Sequence, residues 1–153
     1  MDRLTQPVFH PEDCFILPQP PTQILLAEDD QEMRAMIAVQ LRDDGYDVIE
    51  ARNGVELMRA ARRFEDALLP FDLIVTDIRM PGWNGLEALD HLRRSGNNVP
   101  VIVMTAFGDA RIHALAESLG AAVVLDKPFD LDDLRTAVAR LIEPPSAPAP
   151  PTS

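Results

Sequence analysis

Four uninterrupted apolar runs, Ile24-Leu25-Leu26-Ala27, Leu73-Ile74-Val75, Val101-Ile102-Val103-Met104 and Ala122-Val123-Val124-Leu125, constrain this chain more than anything else in it. They are short and mostly rich in β-branched residues, the pattern of strands covered on both faces. Tyr46 to Glu50 reads as a shorter edge strand. Between the runs, helical spacing recurs: Met33, Met36, Ile37 and Leu41; Leu57, Met58, Ala61 and Phe64 in a helix from Asn53 to about Glu65; Leu86, Leu89 and Leu92; Ile112, Leu115, Ala116 and Leu119; and Leu131, Leu134, Val138 and Leu141. Gly45 and Gly120 fall where helices should stop, Asp109 and Asp130 where they should start. Five such strand–helix units predict an α/β fold, a doubly wound parallel sheet with helices on both faces and right-handed crossovers.

Proline sets the limits of that body. Ten of the 14 prolines lie either before residue 23 or after residue 143. Proline fixes φ and removes a backbone donor, so a flexible leader over 1–22 and a disordered tail over 144–153 are expected around one domain at 23–143. Leu141-Ile142-Glu143 runs straight into that tail, so no output domain is expected to follow. The formal net charge of −11 sets up a field that repels phosphate backbones, which argues against direct nucleic-acid binding. Cys14 stands alone, so neither an internal disulfide nor a cysteine zinc site is available. No apolar stretch approaches the length of a membrane span, and the N-terminus lacks a signal-like core. A cytoplasmic protein is expected.

In an open α/β sheet the ligand crevice lies beyond the carboxyl ends of the strands. Glu28-Asp29-Asp30 follows the first run, Asp77 closely follows the second, Thr105 follows the third, and Lys127-Pro128 closely follows the fourth. Clustered carboxylates repel unless a cation relieves them, and a few hard oxygens completed by water suit Mg²⁺. A carboxylate beside such a cation could attack phosphorus to give a mixed anhydride, with Lys127 and the Thr105 hydroxyl holding the remaining oxygens. Each piece also has a plainer reading. Asp29 with Glu32 fits a capping box, Asp77 before Met80-Pro81-Gly82 fits a turn, and Thr105 fits a strand end. Lys127 weighs against coincidence, being the one lysine beside thirteen arginines.

The runs Ile24-Leu25-Leu26-Ala27-Glu28-Asp29-Asp30, Asp72 through Gly82, Val101-Ile102-Val103-Met104-Thr105-Ala106 and Asp126-Lys127-Pro128-Phe129 are the motifs that carry a family likeness. In this order the chain resembles the receiver domain of bacterial two-component response regulators over about Gln23 to Glu143. The resemblance implies a flavodoxin-like five-stranded sheet of order 2-1-3-4-5 with five helices. It implies Asp77 as phosphoacceptor, fed by a phosphohistidine on a sensor histidine kinase or histidine phosphotransfer protein. It also implies Mg²⁺ held by Glu28, Asp29, Asp77 and the backbone carbonyl of Arg79, with Asp29 preferred over Glu28 as direct ligand. Thr105 and Lys127 match the family's hydroxyl and ammonium, and a cis peptide is implied before Pro128. Output is expected through contacts with a downstream protein, as a monomer or weak homodimer, using the face of the fourth and fifth helices where Ile112, His113 and Arg135 are placed.

One position departs from the pattern. The family couples its hydroxyl to an aromatic ring three residues before the lysine, where this chain has Val124. A displacement of the Ala106–Asp109 loop must then carry the signal. The alternative is a pseudo-receiver, a docking module that is never phosphorylated. A phosphohydrolase would need a second acid two residues after its nucleophile, where Arg79 stands. Trp83 is expected to gate the site, to contact a partner, or simply to rest on its loop. His10, His91 and His113 receive no role, and Arg62-Arg63 and Arg93-Arg94 are expected to be solvated helix ends.

Overall fold

A computed structural model describes residues 21–65, 71–106 and 108–142. The expected tail and nearly all of the expected leader lie outside the described residues. Along the chain come β1 (Gln23–Ala27), α1 (Gln31–Asp43), β2 (Asp47–Ala51), α2 (Gly54–Glu65), β3 (Leu73–Asp77), α3 (Gly85–Arg94), β4 (Val101–Thr105), α4 (Ala110–Ser118), β5 (Val123–Asp126) and α5 (Leu131–Ile142). Every neighbouring pair of strands is parallel, in the spatial order β2-β1-β3-β4-β5. This is the flavodoxin-like order, in which the winding reverses between β1 and β3 and opens a crevice at their carboxyl ends.

The unbroken apolar runs are explained by two cores. Alternate residues Leu25, Ala27, Ile74, Val101 and Val103 pack with Leu57, Ala61, Leu89, Leu92 and Ala116, the layer of α2, α3 and α4. Their neighbours Ile24, Leu26, Leu73, Val75, Ile102 and Met104 pack with Ile37, Ala38, Leu41, Leu134 and Val138, the layer of α1 and α5. Both sheet faces are therefore dry, and all five residues of β3 and of β4 are buried. In β5, Val123, Val124 and Leu125 are only half-buried and Asp126 is exposed, because β5 closes the sheet on one side. An apolar run alone does not distinguish an edge strand from a central one.

Several local expectations shift. Asp30, not Asp29, caps α1: its extended backbone lets the carboxylate accept from the Met33 N–H at 3.0 Å. The Asn84–Glu87 capping box that starts α3 is a true one, with bonds of 2.8 and 3.0 Å in the two directions. Asp109 caps α4 as expected. On α1 the core face is Arg34, Ile37, Ala38 and Leu41, which turns Met36 outward at 51% exposure. On α4 only Ala116 is buried, and Leu115 faces out.

Two arginines also move from their expected places. Arg93 is not merely solvated. It donates to the carbonyls of Asn97 and Gly120, both at 2.9 Å, and so ties the end of α3 to the approach to β5. Arg135 donates to both carboxylate oxygens of Asp44 at the end of α1, each at 2.9 Å.

Candidate functional site at the carboxyl edge of the sheet

Register decides which residues meet. Ala27 pairs with Thr76, so Glu28 and Asp77 stand one step further along, side by side where β1 and β3 run out. Asp77 pairs with Met104, and Thr105 pairs with Asp126, which carries Lys127 to the same edge. The Lys127 N–H donates to the Thr105 carbonyl at 2.7 Å, and the Lys127–Pro128 peptide is cis. Behind Asp77 the backbone is closely held: Ile78 N–H bonds Met104 O at 3.0 Å, and Gly85 N–H bonds Ile78 O at 2.8 Å. Gly85 has to be glycine here, because a Cβ would run into the Asp77 carbonyl.

The side chains converge. Lys127 Nζ lies 2.6 Å from Glu28 Oε1 and 2.9 Å from Asp77 Oδ2, bridging two carboxylates that are 99 and 50 residues away in sequence. Glu28, Asp29 and Asp77 each offer a carboxylate oxygen within 4.8 Å of the others. Glu28 is fully buried and Asp77 nearly so, whereas Asp29 is exposed. Since Asp30 does the capping, Asp29 is left on the open side of the cluster. Thr105 is buried at the end of β4, and Arg79 is exposed in the loop two residues after Asp77.

Among the described residues, the cluster brings three carboxylates together with the Lys127 ammonium. Burial pushes the Glu28 carboxyl up to about 7, with the Lys127 hydrogen bond opposing and the Asp77 charge adding to the rise. Burial alone would lower the Lys127 pKa, but its bonds to Glu28 and Asp77 outweigh that and hold it above the ordinary lysine value. Hard oxygens gathered in this way, one of them facing water, are what a small divalent cation requires.

The sequence of this chain matches the response regulator receiver domain over residues 24–139. The chain belongs to that family. Among receiver proteins, it is 29% identical over 120 residues to sporulation initiation phosphotransferase F of Bacillus subtilis, covering 78% of this chain and 93% of that protein. It is 42% identical over 105 residues to the transcriptional regulatory protein FixJ of Azorhizobium caulinodans, covering 67% of this chain and 46% of that one. This receiver chain thus spans about half the length, or less, of the transcriptional regulators it matches. The solved receiver domain of a Francisella response regulator superposes with a TM-score of 0.73 at 28% identity, over 80% of this chain and 97% of that one.

Around the receiver site, Trp83 rests on its loop. It is half-buried against the core, its ring meets His91 edge-on at 5.4 Å, and a Cβ at Gly54 would run into its backbone. His113 approaches Asp126 at 2.8 Å, and a Cβ on Gly108 would run into that same carboxylate. Val124 is half-buried against the α2–α4 layer. One residue beside the site was missed from sequence. Arg34 is a buried cation on the apolar face of α1, and the spacing 34, 37, 38, 41 carried the signal.

Proposed function

We propose that this receiver domain is a Mg²⁺-dependent phosphoacceptor of a two-component phosphorelay, taking a phosphoryl group from a phosphohistidine donor onto Asp77. The observation that supports it most is the bridge from Lys127 Nζ to Glu28 and Asp77 at the carboxyl edge of the sheet. Asp29 and Asp77, with the Arg79 carbonyl, would hold the cation, and Glu28 would add charge behind them. When bound, Mg²⁺ would supply the neutralisation of phosphoryl oxygens that one ammonium cannot.

In the transfer, an oxygen of Asp77 forms a bond to phosphorus as the phosphorus–nitrogen bond of the donor breaks. The imidazole keeps that electron pair and takes a proton. Lys127 stays beside Asp77 and meets the phosphoryl oxygens with a compact point charge. The Thr105 hydroxyl, at the next strand end, donates to the same group and draws the loop after it inward. With Val124 where an aromatic would switch, the loop from Ala106 to Asp109 carries the change to the contact of Gly108 with Asp126.

The donor is a sensor histidine kinase or a histidine phosphotransfer protein, and the output is a contact with another protein in the cytoplasm. No chemistry beyond self-catalysed acceptance and loss of the phosphoryl group is proposed. No helix among the described residues is long and apolar enough to cross a membrane. The test is phosphate incorporation from a small acyl phosphate, with Mg²⁺ or with EDTA, in the native chain and in Asp77→Asn. Labelling should need both Mg²⁺ and Asp77. Equal labelling of the two proteins would remove Asp77 from its role, and folded but unlabelled native protein would make this chain a docking module.

A further inference from the structure

Arg34 occupies a place that the packing of α1 reserves for an apolar side chain. It shares the buried face with Ile37, Ala38 and Leu41 and is 9% exposed. A guanidinium there is costly unless every contact it makes is used. Two are made. One Nη donates to the backbone carbonyl of Glu28 at 2.9 Å, and Nε donates to Glu50 Oε1 at 3.2 Å. Glu50 is steadied from its other oxygen by Arg42, which also holds the Val48 carbonyl.

The Glu28 carbonyl matters because it lies just past the end of β1, where the ladder no longer provides a partner. On its other side the Glu28 N–H bonds the Ala51 carbonyl at 3.1 Å. The peptide units flanking Glu28 are therefore clamped from β2 on one side and from Arg34 on the other. Glu28 Oε2 in turn accepts from the Asp30 N–H at 3.3 Å, and Asp30 caps α1. Remove the guanidinium and a buried carbonyl loses its donor, so the turn that aims Glu28 and Asp29 must rotate to find another.

We infer that Arg34 is a positioning residue for the acidic site: it locks the β1–α1 turn so that the Glu28 and Asp29 carboxylates converge on Asp77, with Glu50 as its anchor. The inference rests on the cation-binding reading of that site. It makes a prediction of opposite sign to simple electrostatics. Deleting a positive charge near an acidic cluster should tighten cation binding, whereas loosening the turn should weaken it.

The experiment is a Mg²⁺ titration of the whole chain followed by amide chemical shifts, with urea unfolding in EDTA run in parallel. Arg34→Met should weaken Mg²⁺ by about tenfold or more, the range seen when supporting partners of metal ligands are removed. Arg34→Lys keeps the charge but cannot serve both acceptors, and should weaken it similarly. Arg42→Met touches Glu50 without touching Glu28, and should leave affinity within about twofold. Unchanged or tighter binding by folded Arg34→Met and Arg34→Lys would overturn the assignment, as would an equal loss in Arg42→Met. Native protein that shows no Mg²⁺ response, or an unchanged response in Asp29→Asn, would remove the cation site itself and the inference with it.

Discussion

Replacing Lys127 with methionine keeps the length of the side chain and removes the ammonium that bonds both Glu28 and Asp77. The bridge is short and shielded, with Lys127 16% exposed, Glu28 1% and Asp77 9%. Breaking a buried ion pair from one side costs roughly 3–5 kcal/mol, because the partner charges stay behind. Here protonation of Glu28 offers relief. Lifting its carboxyl from 4.5 to about 7 already represents ~3 kcal/mol of native-state cost for the ionised form. The native protein thus holds that proton more tightly than the unfolded chain does. In this group's contribution, stability is fully present below 4.5 and falls as pH rises to about 7. Without the ammonium the carboxyl rises further, and the window widens upward. Urea unfolding in EDTA should show Lys127→Met losing roughly 3–5 kcal/mol at slightly alkaline pH and about half that near pH 5.5. Mg²⁺ at ten times its dissociation constant should restore ~1.4 kcal/mol. A loss independent of pH, or one below ~1 kcal/mol at alkaline pH, would refute the reasoning.

Two further outcomes can be checked directly. Gly85→Ala drives a Cβ into the Asp77 carbonyl and should cost ~1–3 kcal/mol in urea unfolding, with slower phosphate incorporation because the acceptor is displaced. The Arg52–Glu56 pair, with its carboxyl drawn down to about 2, stabilises above the ordinary value of 4.5 and fades as pH falls through 2. The stability difference between native protein and Glu56→Gln should therefore be small, salt-sensitive and absent at the acid end, as followed by circular dichroism.

The strand runs were legible because a parallel sheet covered on both faces keeps β3 and β4 apolar up to their carboxyl ends, where Thr76, Asp77 and Thr105 stand. Glu28, Asp77, Thr105 and Lys127 were legible for a related reason, each standing at or just past a strand end where chemistry is permitted. Asp29 was ambiguous in sequence, since a cap and a ligand look alike until the turn geometry assigns the cap to Asp30. The partners of Arg93 and Arg135 were hidden because a carbonyl acceptor leaves no mark in sequence and Asp44 is 91 residues from Arg135. Arg34 was overlooked as a charge on a helix, although its place in the apolar stripe gave it away. Met36 and Leu115 misled in the opposite sense, being apolar residues at helical spacing that face outward.

The central claim is that folding sets the Asp77 carboxylate to receive phosphorus beside Lys127 and two further acids. Borohydride reduction of the chain after treatment with a small acyl phosphate and Mg²⁺ tests it most directly, because it converts an aspartyl phosphate to homoserine. Peptide mapping should find homoserine at position 77 and nowhere else, and none when EDTA replaces Mg²⁺. Homoserine at Asp29 or another aspartate, or phosphate retained elsewhere with Asp77 intact, would contradict the account.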